Sequence, residues 1–177
     1  MVKSYSIILF FLLLGACSPL DEETKKQERN KQNAEAYIDT IWNKKELKNL
    51  KDYFSSTFIR TVNNIDVAND YAELNANLNV LFKSFPDLHM YIENILATKN
   101  TVFLHWSITG TNTGEFNDRP RTGKKIEISG ITSIDFDEEG MMVYENSYFN
   151  ELFLMQQLGY KLIIPKDNEL ESNINQN

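Results

Sequence analysis

From its N-terminus the chain shows one basic residue, Lys3, then a nearly unbroken apolar run from Tyr5 to Leu14. A membrane-spanning helix needs about 20 apolar residues, so this shorter run predicts a leader peptide rather than a span. Residues 18–33 then read S-P-L-D-E-E-T-K-K-Q-E-R-N-K-Q-N. Their polarity predicts a tether whose later part passes into helix. Ala34, Tyr37, Ile38, Ile41 and Trp42 fall at helical spacing and make one apolar stripe. Leu47, Leu50, Tyr53 and Phe54 predict a second, shorter helical piece. Residues 57–62 fit a short strand or an irregular crossing, and Asn63-Asn64 fits a turn. Residues 66–85 predict a third helix, with Val67, Tyr71, Leu74, Leu78, Leu81, Phe82 and Phe85 on its apolar side. Pro86 ends it, because the residue before proline is pushed out of the helical region.

The pattern changes after Asp87. Residues 88–97, 101–109, 124–136 and 141–149 read as strands. Lys99-Asn100 and Asp137-Glu138-Glu139-Gly140 supply hairpin turns, and a long polar loop runs through Arg121. A last helix is predicted over 150–158, stopped by Gly159, and a polar tail comes after Pro165. Helices before consecutive antiparallel strands define an α+β layout. A curved sheet closed on one side by helices would make a cone with an apolar hollow.

Charge and cysteine content narrow the functions. A net charge of −7 argues against nucleic acid, whose phosphates require a basic patch, and against adsorption to anionic lipid. Cys17 is the single cysteine. His89 and His105 have no metal-motif spacing, so no metal site and no cofactor is expected. The glycine-containing loop 110–121 lacks the G-K-[ST] ending of a phosphate cradle.

Two resemblances add to this reading. Leu14-Gly15-Ala16-Cys17, placed after the apolar run, resembles a bacterial lipobox. That implies cleavage before Cys17, acylation of Cys17, and a location in the bacterial cell envelope, outside the cytoplasm and held to a membrane by lipid. Further on come Phe85-Pro86-Asp87-Leu88, Trp106 with Gly110-Thr111-Asn112-Thr113-Gly114-Glu115-Phe116, Arg121-Thr122-Gly123-Lys124, and Gln156-Gln157-Leu158-Gly159. In this order they resemble the SnoaL-like, or polyketide-cyclase-like, branch of the nuclear transport factor 2-like fold. The implied architecture is a cone: a curved, mostly antiparallel sheet packed on N-terminal helices. The implied divisions are 1–16 signal peptide, 17–32 polar tether, 33–164 SnoaL-like domain and 165–177 loose polar tail.

In the resembling cyclases an aspartate nine residues before the last glycine of Q-L-G acts as acid/base. The same count reaches Asn150 here, and an amide has no proton to exchange near neutral pH. A tryptophan often found four residues earlier is Asn146, and the histidine of the G-T-H-T-G loop is Asn112. Period-two alternation puts Tyr144, Asn146, Tyr148 and Asn150 on one strand face and Glu145 on the other, unless a bulge intervenes. By resemblance the first face looks into the cone. Trp106, Tyr144, Asn146, Tyr148 and Asn150 are therefore the expected ligand-binding set. No catalytic residue is expected; Tyr144, Tyr148 and His89 are the fallback acid/base groups. The favoured function is binding of a small apolar or amphipathic molecule without catalysis. The alternatives are a cyclase, isomerase or hydrolase with a relocated acid/base, and a structural or partner-binding lipoprotein. The resemblance also implies a homodimer through the convex sheet face, where His105, Phe103, Ile131 and Val143 are expected.

The lipid anchor is directly testable. Cys17→Ser should abolish incorporation of a palmitate analogue on metabolic labelling and leave the leader uncleaved. Absence of label on the wild-type protein would remove the anchor.

Overall fold

The computed structural model describes residues 19–163 except residue 117. The signal peptide, Cys17 and the tail 165–177 lie outside the described residues. Helix α1 (Pro19–Tyr37) starts earlier than the sequence suggests. Its buried residues Asn30, Ala34 and Tyr37 recur every three to four positions, which builds one inward stripe. Lys26 meets Glu138 at 2.6 Å, Arg29 donates to the Glu138 carbonyl at 2.9 Å, and Asn33 donates to the Gly140 carbonyl at 2.9 Å. The tether expected over 17–32 is therefore helical from Pro19, and its second half is fastened to the domain. No described helix is long and apolar enough to cross a membrane.

After α1 the backbone widens into a π-helical turn, Ile38–Asn43, then a 3₁₀ turn, Leu47–Asp52. Strands β1 (Phe54–Val62) and β2 (Ile65–Ala68) form a hairpin. Asn63 and Asn64, with φ of 51° and 65°, supply the left-handed pair that a two-residue hairpin turn requires. This corrects the expected third helix over 66–85. The helical segment, α2 (Tyr71–Ser84), begins five residues later. Asp70 caps it by accepting from the Glu73 N–H at 2.8 Å, and the Glu73 carboxylate accepts from the Asn69 N–H at 2.8 Å. That near-capping-box pair fixes the start of the helix.

Strands β3 (His89–Thr98), β4 (Thr101–Thr111), β5 (Lys125–Phe136) and β6 (Met142–Phe149) come next, then helix α3 (Glu151–Gln157). The six strands run in the order β2-β1-β6-β5-β4-β3. Every neighbouring pair is antiparallel except β1 with β6, which is parallel. The four strands read from the sequence are thus present as successive antiparallel neighbours, and the fold is the expected α+β cone. Its core joins Tyr37, Phe54, Phe58, Leu74 and Leu78 from the helical side and β1 to Leu104, Ile134 and Met142 of the sheet. Among the described residues, all buried apolar ones lie between Ala34 and Leu158, and all strand pairs between Phe54 and Phe149. Residues 19–163 therefore carry a complete folding unit.

Two irregularities shape the concave face of the sheet. Asp135 pairs with Tyr144 and Phe136 with Met142, which leaves Val143 as an extra residue, a β-bulge. Gly130 sits mid-strand in β5 beneath the Trp106 ring; a Cβ there would lie 2.6 Å from Trp106 Cη2 and 2.5 Å from the Tyr148 carbonyl oxygen. Glycine is needed at this point so that the indole can lie flat against the sheet.

Candidate functional site

Between the concave face of the sheet and the helices is a cavity of about 550 Å³, a size usual for small-molecule sites. Leu104, Ile108, Ile126, Ile128, Ile134 and Phe149 line its sheet side. Ile65, Val80 and Glu151 also line it; all three are solvent-exposed and mark its mouth.

A polar track crosses this apolar wall. Trp106 Nε1 donates to Thr132 Oγ1 at 2.8 Å, and Thr132 and Ser147 share a hydroxyl–hydroxyl bond of 2.8 Å. Ser147 donates to Glu145 Oε1 at 3.5 Å. Because the indole can only donate, the hydroxyl protons all point one way and end on the carboxylate. Tyr37 donates to Glu145 Oε2 at 3.1 Å. Arg60 Nε lies 3.2 Å from Glu145 Oε1, with the two side chains 9% and 3% exposed. That contact lacks hydrogen-bond alignment, so it is chiefly Coulombic. The Arg60 guanidinium also rests over the Trp42 ring, 5.6 Å from its centre, a cation–π contact. Tyr37, Trp42, Arg60, Trp106, Thr132, Glu145 and Ser147 all line the cavity.

Local structure explains the convergence. Arg60 is the register partner of Glu145, and Val62 of Ser147, in the parallel β1–β6 pair. Partners in a ladder point to the same face. Thr132 pairs with Ser147 across β5–β6. The turn from α1 into the π-helical segment brings Tyr37 and Trp42 over the same spot. Burial pushes the Tyr37 phenol well above its ordinary pKa, and the Glu145 carboxylate pushes it further. The nearby Arg60 guanidinium partly offsets this. Burial works against the Arg60 charge, yet the Glu145 carboxylate and Tyr37 outweigh it and raise the guanidinium pKa. Arg60 stays a cation.

The structure corrects the expected site. Of the five anticipated ligand-binding residues, Trp106 lines the cavity. The bulge at Val143 turns Glu145, Ser147 and Phe149 inward and puts Tyr144, Asn146 and Tyr148 on the convex side. There Tyr148 donates to Asn64 Oδ1 at 2.6 Å, Asn146 donates to the Tyr148 hydroxyl at 2.9 Å, and Tyr144 meets Thr61 at 3.3 Å. These contacts tie the β1–β2 turn to β6. Asn150 is the exposed N-cap of α3 and accepts from the Phe153 N–H at 2.9 Å. His89 is exposed on β3, with its ring against Tyr91. None of the fallback acid/base groups reaches the cavity. Asp87 clamps Thr111, accepting from its N–H at 2.6 Å and its hydroxyl at 2.7 Å; those bonds hold the carboxyl below its ordinary pKa. Arg60 had one local sign in the sequence: Phe58-x-Arg60-x-Val62 puts a charge on the apolar face of a strand. Glu145 had none, because its direction depends on the bulge.

The motifs behind the resemblance serve local geometry. Buried Asn112 accepts from the Thr122 N–H at 2.8 Å and hydroxyl at 3.0 Å, and donates to the Gly114 carbonyl at 2.9 Å. In Q-L-G, Gln157 accepts from the Glu127 N–H at 2.7 Å and donates to its carbonyl at 2.8 Å. It thereby completes β5 beyond the reach of β6. Gly159, at φ 95°, closes α3 with bonds from Gly159 N to Gln156 O (2.9 Å) and Tyr160 N to Met155 O (3.0 Å), a Schellman cap.

The family model for SnoaL-like polyketide cyclases matches residues 32–158, and the chain belongs to that family. A protein assigned as a SnoaL-like polyketide cyclase from Jannaschia sp. CCS1 superposes with a TM-score of 0.71 at 19% identity, over 82% of this chain and 97% of that one. AclR, assigned as a hydroxylase from Streptomyces galilaeus, gives 0.68 at 22% identity over 84% and 92%. A phenazine biosynthesis-related protein from Pseudomonas aeruginosa gives 0.67 at 14% over 83% and 96%. At these identities the likeness is one of fold. No curated protein matches the chain.

The Tyr37 phenol gives a pH test. Its folded-state pKa lies above the unfolded value near 10.0, so its contribution is complete below pH 10 and is lost as pH rises past it, where the unfolded chain releases the proton first. Tyr37→Phe should lower stability at neutral pH by about 1.5–3 kcal/mol, the usual worth of a hydrogen bond to a charged group. It should also flatten the alkaline decline in urea unfolding. An unchanged alkaline slope would refute the assignment.

Proposed function

We propose that this chain binds a small apolar or amphipathic molecule in its cone without catalysis, held by lipid on Cys17 to a membrane of the bacterial cell envelope. The supporting observation is the buried Arg60–Glu145 pair in the wall of an apolar cavity. Such pairs rarely stabilise a fold, because desolvation offsets their attraction. Keeping one where apolar residues would pack equally well suits ligand recognition. Its carboxylate is a poor candidate base: Oε1 faces Arg60 and Ser147, and Oε2 accepts a hydrogen bond from the Tyr37 hydroxyl. Asn150 offers no titratable proton and lies outside the cavity.

One observation favours a second reading, an enzyme of the cyclase, isomerase or hydrolase type. Glu151, next to Asn150, is an exposed acidic residue that lines the cavity. We expect native mass spectrometry of residues 19–177, released gently from cells, to show a bound small molecule. We expect no aldol-type turnover, and none gained by Asn150→Asp, which should cap α3 as well as asparagine does. Turnover with a bell-shaped pH profile that Glu151→Gln abolishes would establish the enzyme instead.

We also propose that two copies pair through the convex face. Phe103 and Ile131 are 42% and 54% exposed there, beside His105, and Val143 is half-buried at the bulge. Sedimentation of residues 19–177 should show a dimer that Ile131→Lys dissociates; a monomer at high micromolar concentration would exclude it.

A further inference from the structure

We propose that the cavity selects an uncharged, mainly apolar molecule bearing a hydrogen-bond-accepting oxygen, such as a ketone or ester, which docks on the Nη groups of Arg60, and that it discriminates against fatty carboxylates and amines. This selectivity rests on the binding function just proposed and comes from the groups that the cavity leaves unpaired.

The ionisable residues lining it are Tyr37, Arg60, Glu145 and Glu151. The hydroxyls of Thr132 and Ser147 are taken by each other and by their neighbours, and the Trp106 N–H by Thr132. Both oxygens of Glu145 are occupied. Arg60 differs. Its Nε is walled off, whereas its Nη groups, which make no hydrogen bond to a described residue, remain reachable from the cavity. The unpaired groups among these are therefore donors, the Arg60 guanidinium and the Trp42 N–H, and the Trp42 N–H is itself buried. A ligand must bring an acceptor to the guanidinium.

Charge decides which acceptor. Arg60 and Glu145 cancel, and Glu151 at the mouth adds a negative charge. A carboxylate ligand would place a second anion beside the buried Glu145 carboxylate in a largely apolar wall, which is costly. An ammonium ligand would meet Arg60 with no free acceptor inside. A carbonyl oxygen satisfies the donors and adds no charge, while its chain lies against Leu104, Ile108, Ile126, Ile128, Ile134 and Phe149.

The chain reports on this cavity directly, because its two tryptophans, Trp42 and Trp106, both line it. Residues 19–177 would be titrated at neutral pH with 2-decanone, decanoate and decylammonium, monitored by tryptophan fluorescence. We expect 2-decanone to bind at least about tenfold more tightly than either ion, a tenfold ratio corresponding to about 1.4 kcal/mol. Arg60→Met combined with Glu145→Gln removes the guanidinium without stranding a buried carboxylate. It should erase most of the ketone's advantage while circular dichroism stays native. Equal or tighter binding of decanoate or decylammonium to the wild-type protein would overturn the selectivity and leave the binding reading intact. Unchanged ketone binding by the folded double variant would overturn the role of Arg60. No response to any of the three would overturn both readings. The ranking is measured on the wild-type protein, so it holds even where the variant fails to fold.

Discussion

A guanidinium in an apolar wall needs a counter-charge, and the architecture around the cavity is arranged so that Glu145 meets Arg60. The parallel register of β1 and β6 sets the two residues opposite each other. Tyr37, at the end of α1, closes over the second carboxylate oxygen. Three elements distant in sequence are thus fastened at one polar point. Breaking the pair from one side would leave an uncompensated buried charge, at a cost of about 3–5 kcal/mol. The rest of the wall can be aliphatic because this cluster gathers the buried charges at one point.

That arrangement depends on a single extra residue. Without the bulge at Val143, β6 would present Tyr144, Asn146 and Tyr148 to the cone and Glu145 to the outside. Alternation along the sequence groups Tyr144, Asn146 and Tyr148 on one face, and the family resemblance implies that this face looks into the cone. The strands themselves were legible, since β3 to β6 carry apolar residues at period two and are bounded by turn residues. The α+β order and the hollow between layers came with them. Strand parity was not legible, because a bulge is a feature of pairing with β5 and leaves no mark in the β6 sequence. The β1–β2 hairpin was half legible: Asn63-Asn64 marked the turn, but Val67 fits a strand and a helix equally well. Asp70 and Glu73 were the local sign that the helix starts after the hairpin. Helix α1 hid inside a polar segment because only a narrow stripe of it is buried.

The motifs that carry family likeness give the cavity Phe85, Leu88, Trp106 and Phe116, but not its charged residues. Asn112, Gln157 and Gly159 organise loops, complete a strand and cap a helix, tasks any protein of this shape must perform. Arg60, Glu145 and Tyr37 do none of these. Family membership here is a statement about how the chain folds, and the chemistry of the cavity has to be read from the side chains that face it.

The parallel contact between β1 and β6 also bears on how the protein reaches its native state. The hairpins β3–β4 and β5–β6 join neighbours in sequence and close short loops. Joining β1 to β6 closes a loop holding most of the domain, and the entropy of that closure is lost before any contact between the two strands is gained. The cavity wall containing the ion pair therefore completes only when the most distant pairing in the sheet is made. A molecule that binds the finished cavity binds the native state alone, and mass action then holds the chain folded. For any protein that binds a ligand in this way, occupancy and lifetime are coupled, and scarcity of the ligand shortens the survival of the folded chain.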